Sequence, residues 1–126
     1  MSLRTPLGRV LGLGSAKEGA GHWSAMRVSA VALIPLTLWL LFSLLLLPDL
    51  HYSTVRVWLS LPISAFLSVL LIIALTHHSY LGTNEVVEDY VHAPGMKLLI
   101  LLTLRFLYVI VAGAGIFAVM RVVLRA

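Results

Sequence analysis

The chain has 126 residues, 60% of them hydrophobic and only 11% charged, with a mean hydropathy of +1.02. That leaves too little polar surface for a soluble domain and indicates a single compact membrane unit. Cysteine is absent, which excludes disulfides, thiolate metal sites and cysteine nucleophiles. The net charge of +4 is not a nucleic-acid footprint, because the basic residues are scattered, with Arg4, Arg9, Lys17 and Arg27 ahead of the first apolar run. Cations flanking membrane spans set orientation.

Residues 1–25, with Gly8, Gly12, Gly14, Gly19 and Gly21, read as an irregular, surface-lying arm. The apolar run that follows is too long for the core of a cleaved signal peptide and ends without a small-x-small site, so it is expected to be a retained anchor. A spanning helix needs about 20 apolar residues to cross about 30 Å of hydrocarbon. Three segments qualify. The first runs from Val28 to Leu47, with Pro35 inside it as an expected kink, and is closed by Pro48 and Asp49. The second begins near Val57 and reaches Thr76, continuing helically to about Gly82 and beyond. The third covers Leu98 to Met120 and carries Arg105 and the tract Ala112-Gly113-Ala114-Gly115. Small residues of that kind permit close helix approach in lipid. The expected fold is therefore all-α, with three transmembrane helices in one domain spanning residues 1–126. Counting Lys and Arg near the spans gives five on the N-terminal side (Arg4, Arg9, Lys17, Arg27, Lys97) against three on the other (Arg56, Arg121, Arg125). That bias puts the N-terminus in the cytoplasm and the C-terminus outside.

The stretch His77 to His92 gathers three histidines and three of the five acidic residues in sixteen positions. On one continuous helix over residues 57–90, His78, Gly82, Glu85 and Asp89 fall within a stripe about 60° wide. Extended backwards, the stripe takes in Leu75, Leu71, Ser68 and Ser64. His77 lies on another face, with Leu70, Phe66 and Ile63, as a packing or lipid-facing residue would. An imidazole in a membrane helix needs a partner. Three readings compete for His78: structural hydrogen bonding between helices, a proton relay, or axial ligation of haem iron. Gly82, one turn away on the same face, removes a side chain that would collide with a porphyrin. Asp89 and Tyr90 stand three turns beyond His78, about 17–18 Å along the axis. There a tyrosine hydroxyl suits a carbonyl-bearing lipophilic ligand such as a quinone, beside a carboxylate that handles protons. The competing reading of the pair is an interfacial aromatic anchor at a solvated helix end.

The ordered set His78-Ser79-Tyr80-Leu81-Gly82 followed by Asp89-Tyr90-Val91-His92, with Trp23 … Arg27-Val28-Ser29 entering the first helix, resembles the succinate dehydrogenase hydrophobic membrane anchor subunits. These are the smaller of the two cytochrome b-type anchors of respiratory complex II, and the resemblance covers nearly the whole chain. The sister anchor subunit differs, typically entering its first helix with His-Arg-x-Ser-Gly and carrying Gly-x-Arg-His-Leu after its haem histidine. Met26-Arg27-Val28-Ser29-Ala30 and Gly82-Thr83-Asn84-Glu85 lack those features.

The resemblance implies half of a haem-binding helical bundle, completed by the sister anchor in a bacterial inner membrane. His78 would be one axial ligand to haem b, Tyr90 the donor to a ubiquinone carbonyl, and Asp89 its acidic neighbour. Arg27, with His22 beside it, would serve the haem propionates or the quinone-site network. The chain would perform no substrate chemistry alone. FAD and iron–sulfur clusters would reside in partner flavoprotein and iron–sulfur subunits, which this chain would tether to the membrane. A fumarate reductase-type anchor, a non-haem membrane scaffold and a proton-path transporter fragment are the rival readings; three spans without a repeat fit the last poorly.

Overall fold

The structure, a computed structural model, describes residues 19–125. The entry arm up to residue 18 lies outside the described residues. Four helices follow in order: α1 (Gly19–Leu45), α2 (Tyr52–Ser60), α3 (Pro62–Tyr90) and α4 (Pro94–Leu124). Among the described residues there is no strand. Three of the helices, α1, α3 and α4, are long and apolar enough to cross a membrane.

The first helix starts well before Val28. No proline interrupts Gly21-His22-Trp23-Ser24-Ala25-Met26, and Ser24 Oγ donates to the Gly21 carbonyl at 2.9 Å, so the end of the expected arm is already helical. The helix runs on through Pro35, although a proline there removes one backbone hydrogen bond. The second expected span divides at Leu61. Proline favours the first helical position and pushes its predecessor out of the α region. Leu61 accordingly has φ −63° and ψ 133°, which ends α2 and starts α3 at Pro62. Residues 57–90 are thus not one continuous helix. The same proline logic opens α4 at Pro94, a turn ahead of the expected Leu98.

The nine residues of α2 form a short amphipathic helix that packs on α3 and α4. Trp58 stacks on Trp39 of α1, with ring centroids 5.7 Å apart, and Arg56 Nη2 donates to the Arg125 carbonyl at the end of α4. Just before α2, the Thr54 hydroxyl and then the His51 backbone N–H hold the exposed Asp49 carboxyl below its ordinary range.

The three long helices form a single layer with α3 in the middle. α1 and α4 each pack antiparallel against α3, and no Cα of one comes within 8 Å of the other. Only a few apolar side chains are buried: Ala65, Leu71, Leu81 and Val87 on α3, and Val119 on α4. Most large apolar residues remain exposed, as suits helices long and apolar enough to cross a membrane. The α3–α4 seam depends on the small-residue tract. A Cβ added at Gly115 would lie 3.2 Å from Ile72 Cγ2, whereas one added at Gly113 meets nothing within 4 Å. Gly115 therefore lets α3 approach, and Gly113 faces away from the chain's own helices.

Candidate functional site

At 29 residues, α3 is about 43 Å long, more than the hydrocarbon thickness. If its N-terminal end sits at one membrane face, its last turns emerge from the other. Glu85, Glu88, Asp89 and Tyr90 lie on those turns, while His78 lies inside the apolar part.

Three rungs join α1 to α3 at this end. Ser29 Oγ is 3.0 Å from His78 Nδ1. One turn on, Met26 Cε is the nearest atom, at 4.0 Å, to a Cβ placed on Gly82. Beyond it, His22 Nδ1 lies 3.3 Å from Glu85 Oε1, an ion pair when the imidazole is protonated. The antiparallel register follows from helical geometry: 29, 26 and 22 recur at steps of three and four on one face of α1, opposite 78, 82 and 85 on α3. The polar stripe expected on α3 is thus brought against the first helix over His78, Gly82 and Glu85. Asp89 and Tyr90 continue along α3 but are exposed, Tyr90 to 79%, with no hydrogen-bond partner among the described residues. Arg27 is exposed too, its guanidinium 4.7 Å above the Trp23 ring. His22 and Arg27 therefore share the head of α1 with different neighbours, and neither touches Asp89 or Tyr90.

A second polar set joins α3 to α4. The Thr83 hydroxyl donates to the Ser79 carbonyl at 2.7 Å, so the Tyr108 hydroxyl, 2.9 Å away, donates to Thr83 Oγ1. The Tyr80 and Tyr108 rings meet edge to face at 5.8 Å. Beyond the helix end, Lys97 Nζ donates to the Glu88 carbonyl at 2.9 Å. Two open, mostly apolar grooves flank α3. One, about 350 Å³, includes Thr76, His77, Tyr80, Arg105 and Tyr108 in its walls. The other, about 570 Å³, lies between α1 and α3 and includes Ser29, Ala32, Leu70 and His77. His77 borders both grooves and His78 neither, so the adjacent imidazoles occupy different environments.

Ser29, Met26 and Tyr108 carried no assigned role in the sequence reading, and Glu85 had none beyond its place on the stripe. For Ser29 the signal was available: a hydroxyl inside an apolar span requires a partner. Asn84 adds a buried amide oxygen with no donor among the described residues. No group of three or more His, Asp or Glu side chains close enough to cage a metal ion occurs among the described residues. A metal group held through His78 would need its remaining ligands from elsewhere. Haem fits that donor set: one imidazole inside the apolar layer, a glycine one turn away, and a flexible methionine as the glycine's only close neighbour.

The family model described as "Succinate dehydrogenase/Fumarate reductase transmembrane subunit" matches residues 1–112. Among curated proteins, the chain is 32% identical over 110 residues to the succinate dehydrogenase hydrophobic membrane anchor subunit of Paracoccus denitrificans, covering 87% of this chain and 85% of that one. It is 28% identical over 106 residues to the subunit of the same name from Rickettsia bellii, covering 84% and 85%. The Rickettsia conorii subunit is 29% identical over 102 residues, covering 79% and 81%. With three spanning helices, one polar seam toward the first helix and this similarity along most of its length, the chain belongs to the succinate dehydrogenase/fumarate reductase transmembrane subunit family, as a membrane anchor of succinate dehydrogenase.

Proposed function

We propose that this anchor ligates one axial position of a haem b through His78 and contributes Tyr90 and Asp89 to a ubiquinone-reduction site. A sister cytochrome b anchor supplies the second axial ligand. The observation that carries the reading is His78 itself, a half-buried imidazole inside a spanning helix, engaged at Nδ1 and set one turn from Gly82. Haem b, when bound, supplies a one-electron store within the bundle. Arg27 and His22, at the head of α1, offer cationic groups to the haem propionates or the quinone-site network; guanidinium is suited to carboxylates because its charge is permanent and its donors are paired. At the far end of α3, the Tyr90 hydroxyl donates to a quinone carbonyl and the Asp89 carboxylate holds or passes the proton that accompanies reduction.

The chain performs no succinate chemistry alone. A flavoprotein subunit with FAD and an iron–sulfur subunit complete the complex, and the anchor fixes them to a bacterial inner membrane with its N-terminus cytoplasmic and its C-terminus periplasmic. The exposed outer faces of α1 and α4 support assembly with a second anchor, since neither is covered among the described residues. The test is a dithionite-reduced minus oxidised spectrum of the detergent-purified complex, recorded for the unmutated chain, His78→Ala and a His77→Ala control. A b-type band lost or shifted only in His78→Ala is expected. A band unchanged in both variants removes His78 as a ligand, and no band in the unmutated complex favours a non-haem scaffold.

A further inference from the structure

We propose that Ser29 is a positioning residue for the haem ligand, selecting the His78 tautomer that carries its proton on Nδ1 and leaves Nε2 as a free lone pair. The inference rests on the reading of His78 as an axial ligand and adds the group that prepares it. Ser29 Oγ lies 2.9 Å from the Met26 carbonyl and 3.0 Å from His78 Nδ1. A hydroxyl has one proton to give, and a carbonyl oxygen can only accept. Two arrangements satisfy the distances. In the first, Ser29 donates to Met26 and His78 donates from Nδ1–H to Ser29; both protons are used, and only the Nε2 lone pair is left over. In the second, Ser29 donates to Nδ1, which moves the imidazole proton to Nε2. That N–H then has no acceptor among the described residues, in an apolar layer where an unmet donor is costly. The first arrangement is therefore the one the surroundings favour.

Burial keeps the choice from being undone by solvent, since Ser29 is only 7% exposed. The Met26–Gly82 and His22–Glu85 rungs follow the pair along the same seam and hold the helix register beside it. A hydrogen bond accepted from Nδ1–H makes the opposite nitrogen a stronger ligand and favours the more oxidised iron.

The experiment compares Ser29→Thr with Ser29→Val in the complete purified complex, with His78→Ala alongside. Thr and Val have nearly the same shape and differ in the hydroxyl. The readouts are the haem-to-flavin ratio and the haem midpoint potential. Ser29→Thr should match the unmutated complex. Ser29→Val should shift the midpoint to more positive potential and weaken the hold on haem by roughly 10- to 100-fold, the usual effect of losing a supporting hydrogen bond to a ligating histidine. If valine blocks assembly, Ser29→Ala takes its place with the same two outcomes. Thr and the hydroxyl-free variant behaving alike, whether both native or both perturbed, overturns the assignment to the hydroxyl. Haem retained in His78→Ala with an unchanged spectrum and midpoint instead takes down the ligand reading itself.

Discussion

Among the described residues outside its own helix backbone, Met26 Cε is the one atom within reach of a Cβ begun at Gly82, and it stands 4.0 Å away. The space beside the glycine is therefore closed by the end of a flexible, unbranched side chain rather than by backbone. A single methyl group fits there without displacing anything. Gly82→Ala should keep haem and gain up to about 1 kcal/mol of helix propensity. Gly82→Leu should lose most of the haem or fail to assemble, because the added bulk occupies the face shared with His78. Haem content measured against flavin separates the two, and full occupancy in Gly82→Leu would end the steric argument.

Tyr90→Phe removes one hydroxyl from an exposed position and leaves the ring. Quinone reduction should fall roughly 3- to 10-fold, the scale of one neutral hydrogen bond of about 0.5–1.5 kcal/mol. Succinate oxidation by a soluble artificial acceptor should be unaffected. Asp89→Asn should reduce the quinone reaction as well. Equal losses in both assays would mark Tyr90 as structural.

At the head of α1, Arg27 tests the need for a fork of donors rather than a bare charge. Arg27→Lys should retain part of the haem and quinone function, and Arg27→Gln less, since lysine keeps the cation but not the paired geometry. Indistinguishable Lys and Gln variants with full activity would show that Arg27 serves only Trp23, over whose ring it lies.

The two glycines of the α4 tract make a matched pair. Gly115→Val drives a branched side chain against Ile72, already 3.2 Å from a modest Cβ, and should cost about 1–3 kcal/mol by overpacking. Gly113→Val, at a position whose Cβ would meet nothing within 4 Å among the described residues, should leave the α3–α4 seam intact. Thermal loss of the haem band in detergent gives the comparison. A strong effect at Gly113 instead would reveal a neighbouring subunit against that face.

Much of this arrangement was legible in the sequence, because a membrane span leaves few alternatives for a polar residue. Helical arithmetic placed His78, Gly82 and Glu85 on one stripe, and they do line a single seam with α1. The arithmetic could not name the opposite helix, and so Ser29 and Met26 went without roles although the motif Arg27-Val28-Ser29 had been singled out. Asp89, a turn beyond Glu85, is exposed at the end of α3, where the stripe runs past the His22 rung. The break at Leu61 was carried by Pro62 but hidden by apolar residues on both sides, since hydropathy alone does not distinguish an interfacial helix from the start of a span. The Thr83–Tyr108 link escaped for a different reason: two hydroxyl-bearing residues 25 positions apart, on different helices with a loop between them, show no period.

The single-layer arrangement of α1, α3 and α4 bears on how the protein is made. A layer three helices wide has two broad sides and two unfilled edges, so little of its folding energy can be realised before another subunit arrives. Its abundance should then follow the supply of that subunit by mass action, with orphan copies turned over by membrane proteases. Cells deprived of the proposed sister anchor should lose this chain as well, without any change in its messenger RNA.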